Sequence, residues 1–159
     1  MPSGPSGSPT GSSYIVPITE DALCCATVRD FVVIGGLSSD RYAIRWCAIG
    51  DPTDWPIPAT DDARAKQAGS QSFQSRFGWV TAIGGNDFYM YVFQERAISR
   101  GTYVGGDVVF SFDTFEEDRG CYRQGKMVQI DDMYAFVSEK GNHLLQNQEI
   151  SDIGYGIIT

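Results

Sequence analysis

The sequence predicts an all-β fold built of antiparallel meanders with blade-like units. Three observations carry that prediction. Apolar, β-branched and aromatic residues recur in runs of four to eight between clusters of Gly, Asn, Asp, Ser and Pro. Eighteen Gly and seven Pro leave little room for long helices. No stretch shows the apolar period of a helix of ten or more residues, so helix should stay below about 15 % of the chain.

Residues 1–13 are almost wholly Pro, Ser, Gly and Thr. Such a segment buries no apolar area and reads as a flexible arm, either free or ordered against a neighbour. The β-rich domain runs over 14–159. Residues 24–34 read as a first strand, and Gly35-Gly36 with Ser38-Ser39-Asp40 as its turn. Residues 42–49 return. Asp51-Pro52-Thr53-Asp54-Trp55-Pro56-Ile57-Pro58 is a Pro-stiffened loop, because each Pro removes a ladder donor. Residues 63–74 are polar and read as loop with room for one helical turn.

Residues 79–83 and 88–94 read as a hairpin joined by Gly84, Gly85, Asn86 and Asp87, residue types that tolerate positive φ. The second of these strands is apolar on both faces. Phe88, Met90 and Val92 alternate with Tyr89, Tyr91 and Phe93, so it should be central and covered on both sides. Residues 97–104 and 108–115 follow around Gly105-Gly106-Asp107. Residues 126–130, 133–138 and 143–146 form a last meander.

Three segments share a start of Asp followed by an apolar run: Asp30 to Ile34, Asp87 to Val92 and Asp132 to Val137. Their spacing falls near the period of propeller blades with three or four strands each. Three units do not close a ring of about four to eight blades. The expectation is an incomplete propeller, or part of a larger one.

Twelve basic against twenty acidic residues give a net charge of −8. That balance speaks against a nucleic-acid surface or an anionic membrane surface. No apolar run approaches the ~20 residues that span a bilayer, and the N-terminus lacks a signal-peptide pattern. Cys24, Cys25, Cys47 and Cys121 lack CxxC spacing. They read as buried reduced thiols in a reducing compartment, with a disulfide as the other reading.

Candidate chemistry is sparse, and we assign no catalytic residue, cofactor or metal ligand from the sequence. His143 stands alone beside Gly141-Asn142 and reads as a solvated turn residue. A Ser-His-Asp set could use it, yet no Gly-x-Ser-x-Gly elbow accompanies it. Glu116-Glu117-Asp118 lacks the alternating spacing of a Ca²⁺ loop and reads as a solvated acidic loop. The glycine pairs precede no Lys-Ser/Thr and open no helix, so they are turns and not phosphate cradles. Asp51, Pro52, Asp54, Trp55 and Pro56 are the interface candidates: a stiff loop loses little entropy on docking, and Trp is a frequent anchor.

Arg45-Trp46-Cys47-Ala48-Ile49-Gly50-Asp51-Pro52-Thr53-Asp54-Trp55 resembles a motif of bacteriophage virion proteins. So do Val92-Phe93-Gln94-Glu95-Arg96-Ala97-Ile98, running on to Tyr103-Val104-Gly105, and a third match of Phe110 to Phe112 with Asp113, then Arg119-Gly120-Cys121 and the meander through Phe136-Val137-Ser138. The resemblance covers roughly residues 31–145. It is to the tail hub, nozzle or stabilisation proteins of short-tailed phages, which are typically longer and carry Ser where this chain has Cys47. The resemblance implies a non-enzymatic ring component of the virion tail, assembled in the host cytoplasm. It implies six- or twelve-fold homo-oligomers, portal or adaptor and fibre proteins as partners, and DNA passing without specific binding. A head-surface or decoration protein, or another β-rich binding module, is the alternative. A carbohydrate-active enzyme is the third.

Overall fold

The computed structural model describes residues 15–153. The arm expected over 1–13 lies outside the described residues. Strands cover 53 % of the described residues and helices 6 %, inside the expected helix bound.

Among the described residues, twelve strands form three four-stranded antiparallel sheets, each made of consecutive strands. Sheet 1 holds β1 (Ala22–Val28), β2 (Phe31–Leu37), β3 (Ala43–Trp46) and β4 (Gly69–Ser72). Sheet 2 holds β5 (Val80–Gly85), β6 (Tyr89–Gln94), β7 (Ala97–Gly105) and β8 (Val109–Glu116). Sheet 3 holds β9 (Met127–Ile130), β10 (Met133–Ser138), β11 (Gly141–Gln146) and β12 (Glu149–Ile153). Helix α1 (Asp61–Ala65) is one turn, capped where the Thr60 hydroxyl accepts from the Ala63 amide at 3.2 Å. It sits in the long β3–β4 connection.

The stretch read as one strand over 24–34 is two. Arg29 takes φ +53°, and Arg29-Asp30 turns β1 into β2, with Val28 opposite Phe31. Gly35 and Gly36 then lie within β2 and do not form the turn. Strand β4 falls in the segment read as loop, because its side chains are polar and mostly exposed: it is the outer edge. Strand β12 was not expected either. The turn before it, Asn147-Gln148 with both φ positive, lacks the Gly that would mark it.

The hairpin of β5 and β6 forms as expected, but its turn moves. Gly84 and Gly85 belong to β5, paired with Tyr91 and Met90. Asn86, Asp87 and Phe88 make the turn, where the Asn86 side-chain oxygen accepts from the amides of Phe88 (2.8 Å) and Tyr89 (2.9 Å). Phe88 is therefore exposed and not on the face of Met90.

The three Asp starts occupy the same place in each sheet, the turn between first and second strands. These turns also meet. Arg29 donates its backbone N–H to the Asn86 carbonyl at 3.2 Å, and the Asn86 amide donates to Asp132 at 3.0 Å. The middle turn is one residue longer than its neighbours, so the structural match runs Phe31, Tyr89, Met133. One residue shifts which face each side chain takes.

Sheets 1 and 2 enclose one core: Val28, Phe31, Val33, Ile44 and Trp46 meet Val80, Ile83, Met90, Val92 and Phe110. Edge-on ring contacts join Trp46 to Phe110 at 5.1 Å and Phe31 to Phe110 at 5.3 Å. Sheets 2 and 3 enclose a second core, where Tyr91 meets Tyr134 at 4.9 Å and Phe93 meets Phe136 at 5.2 Å. Strand β6 thus feeds both cores from alternate faces, as its two-sided apolar pattern requires.

Strand β5 is squeezed between the neighbouring sheets. A Cβ on Gly84 would lie 2.5 Å from the Tyr134 ring, and one on Gly85 2.6 Å from Val28. The free edge of β5 is closed by a side chain: Gln129 of β9 donates to the Gly85 carbonyl at 2.8 Å and accepts from its N–H at 3.2 Å. One amide side chain thereby satisfies a backbone pair that lacks a partner strand.

Candidate assembly surfaces

The stack of sheets has two ends, and the chain treats them differently. At the first end, the outer face of sheet 1 carries Cys25, Val32, Ile34 and Arg45. Residues 15–20 and the 51–58 loop fold over it. The Arg45 guanidinium donates to the carbonyls of Trp55 (2.8 Å) and Pro56 (3.2 Å) and pairs with Glu20 at 3.3 Å. Asp54 accepts from the Val16 amide at 3.0 Å and pairs with Lys66 at 2.7 Å. The Trp55 amide donates to the Val16 carbonyl at 2.6 Å. Buried charges here are paired or hydrogen-bonded, as burial demands.

This geometry corrects part of the interface expectation. Trp55 is only 3 % exposed, and its indole N–H is spent on the Pro52 carbonyl. Asp54 and Pro56 are buried as well, and Asp51 is half-buried. The Asp51 carboxylate is held below its ordinary range by hydrogen bonds from the Thr53 hydroxyl and amide. Only Pro52, Thr53 and Ile57 of this loop face outward. The stiffness read from its prolines serves an internal cap, and Trp55 is no docking anchor. Gly84 and Gly85 are buried strand residues; of the expected turn only Asn86 and Asp87 remain at the surface.

At the other end, the outer face of sheet 3 has no such cover among the described residues. Register places Val128, Ala135, Leu144 and Ser151 in one row across the sheet, and Val137, Asn142 and Ile153 in the next. Ile130 and Met133 continue the face. Val128, Ile130 and Ile153 are 59 %, 52 % and 37 % exposed. The equivalent face of sheet 1 (Phe31, Val33) is covered by sheet 2, and that of sheet 2 (Tyr91, Phe93) by sheet 3. A signal for this surface was present in the sequence. Met133-Tyr134-Ala135-Phe136-Val137 is apolar at every position, the same two-sided pattern as β6.

His143 departs from expectation most. It lies on β11, 1 % exposed, and bridges two groups. Nε2 is 2.6 Å from Ser138 Oγ and Nδ1 is 2.7 Å from Asp152 Oδ1. The Lys140 amide donates to Ser138 Oγ at 2.9 Å, so the hydroxyl proton is free to point at Nε2 and the Nδ1–H at Asp152. The order resembles a hydrolytic triad, but the exposure is inverted. Ser138 is buried at 5 % while the Asp152 carboxylate faces solvent. A nucleophile must meet its substrate, and this hydroxyl is sealed in the layer between sheets 2 and 3. The line ties β10, β11 and β12 together.

The acidic run pairs with cations: Glu116 with Arg119 at 3.5 Å, Glu117 with Arg76 at 3.9 Å, and Asp118 with Lys140. Lys140 also holds the Asp118 carboxyl below its usual range. Cys24 and Cys25 lie in β1, Cys47 just after β3 and Cys121 before sheet 3. All four thiols are free, but only Cys47 and Cys121 are buried as expected: Cys24 is half-buried, and Cys25, on the opposite face of β1, is exposed. Among the described residues no helix is long and apolar enough to cross a membrane. No protein-family model matches the chain, and neither does any curated protein.

Proposed function

We propose that the protein is a structural subunit of a short-tailed bacteriophage tail, a nozzle or hub ring around the DNA conduit. One observation carries the assembly part of this reading: the apolar outer face of sheet 3 repeats surfaces that are buried at the two preceding positions. Among the described residues nothing covers Val128, Ile130 and Ile153, and an apolar surface left in water favours association. A second copy supplies the cover, and repetition of one contact around an axis closes a ring. Six or twelve subunits are the proposed numbers, following the resemblance of the Arg45 to Trp55 and Val92 to Ile98 motifs to tail proteins. The net charge of −8 suits a wall past which DNA moves without being held. Portal or adaptor and fibre proteins are the proposed neighbours, and no catalytic step is assigned.

A cryo-EM map of intact particles carrying this protein tests the reading. Ring density below the portal that accepts the three-sheet body supports it. Labelled protein found only on the capsid shell, or absent from particles, defeats it.

A further inference from the structure

The first strands of the three sheets begin on one side of the stack, and a cleft of about 530 Å³ opens there. Leu23 of β1 and Trp79, just before β5, line it. Tyr122, Arg123 and Gln124 enter from the approach to β9. Glu95 and Arg96 come from the β6–β7 turn and Glu139 from the β10–β11 turn. This volume lies in the range of small-molecule sites.

We propose that this cleft binds a neutral saccharide. Trp79 supplies the first reason. It is 46 % exposed, whereas Trp46 and Trp55 are each 3 % exposed. Its backbone is fixed by Glu95, whose carboxylate accepts from the Trp79 amide at 3.0 Å and whose own amide donates to the Trp79 carbonyl at 3.1 Å. The Arg41 guanidinium lies over the ring, 5.7 Å from its centre. An indole held in place at the mouth of a cleft is a platform for the apolar C–H face of a sugar ring.

The second reason is the polar lining. Two carboxylates, Glu95 and Glu139, face two guanidiniums, Arg96 and Arg123, so the cleft is charge-balanced in a strongly acidic protein. Among the described residues, the Tyr122 hydroxyl, the Gln124 amide and the Glu139 carboxylate have no protein hydrogen-bond partner; Arg123, Gln124 and Glu139 are exposed at the rim, and the Arg123 guanidinium lies 5.5 Å from the Tyr122 ring centre. Unspent donors and acceptors beside an aromatic plane match a ring with many hydroxyls and one apolar face. An anionic polymer gains from the two guanidiniums only what the two carboxylates take back, and an apolar ligand strands the polar groups. Binding involves no bond cleavage, and it stands independently of the tail assignment.

Tryptophan fluorescence of the full chain is the test, because Trp79 is the exposed indole. Chitotetraose, maltotetraose and mannotetraose are titrated to about 10 mM, which would nearly saturate a site with a dissociation constant of about 1 mM. An oligothymidylate serves as the anionic probe. We expect a saturable emission change with at least one neutral sugar. Trp79→Ala should weaken binding by about tenfold or more at unchanged melting temperature, measured by calorimetry. Trp79→Phe should retain part of the affinity, and Gln124→Ala should weaken it. No response to any of the three sugars overturns the proposal. So does binding that survives Trp79→Ala, or a response to the oligothymidylate alone.

Discussion

At Gly85 a methyl group has nowhere to go. Its Cβ would meet Val28 Cγ2 at 2.6 Å and the Tyr89 carbonyl at 2.7 Å. The sequence marks this glycine as important through turn chemistry, whereas the cause is the close approach of sheets 1 and 2. Gly85→Val should lower stability by about 1–3 kcal/mol through overpacking, read from denaturant midpoints. An unchanged midpoint contradicts the packing. Cys24 carries a pH signature. Burial, then the neighbouring Cys25 and Cys121 thiols, pushes its pKa from 9.0 up to about 12. Because the folded pKa exceeds the unfolded one, the associated stability is complete below pH 9.0 and is lost as pH rises toward 12. The melting temperature should therefore fall above pH 9, and Cys24→Ala should shallow that fall. Identical alkaline slopes for the two proteins would count against the burial of this thiol. His143 was the residue least legible beforehand, since its partners Ser138 and Asp152 come from different strands and only register reveals them.

Among the elements, the strands with apolar alternation were legible and the polar ones were not. β6 announced both its strand character and its central place. β4 and β12 carry few apolar residues, because an outer edge strand packs little and its sequence is free to be polar. The 51–58 loop was legible as stiff but not as buried, because nothing local tells that Arg45 and Val16 will hold it. Trp55→Ala should accordingly cost about 3–5 kcal/mol of stability, the range for a buried Trp. The expected outcome is a lowered denaturation midpoint, with any loss of assembly following from unfolding. A variant with native stability that fails only to assemble would return Trp55 to an interface role.

Across the whole molecule, the blade-like repeat was readable as a repeated Asp-apolar start, and it does mark equivalent turns. Its one-residue slip in the middle sheet was hidden, since turn length is set by the Asn86 side chain and not by the apolar pattern. The two ends of the stack were unreadable from local sequence, because capping depends on which segments fold back. Capped at sheet 1 and, among the described residues, open at sheet 3, the stack resembles a repeat array with one end finished. Sedimentation velocity of the purified 17.5 kDa chain probes that asymmetry directly. We predict a closed oligomer that the double variant Val128→Lys, Ile130→Lys splits into folded monomers with the native melting temperature. A wild-type chain that stays monomeric at every concentration tested, or an oligomer indifferent to both substitutions, would contradict it.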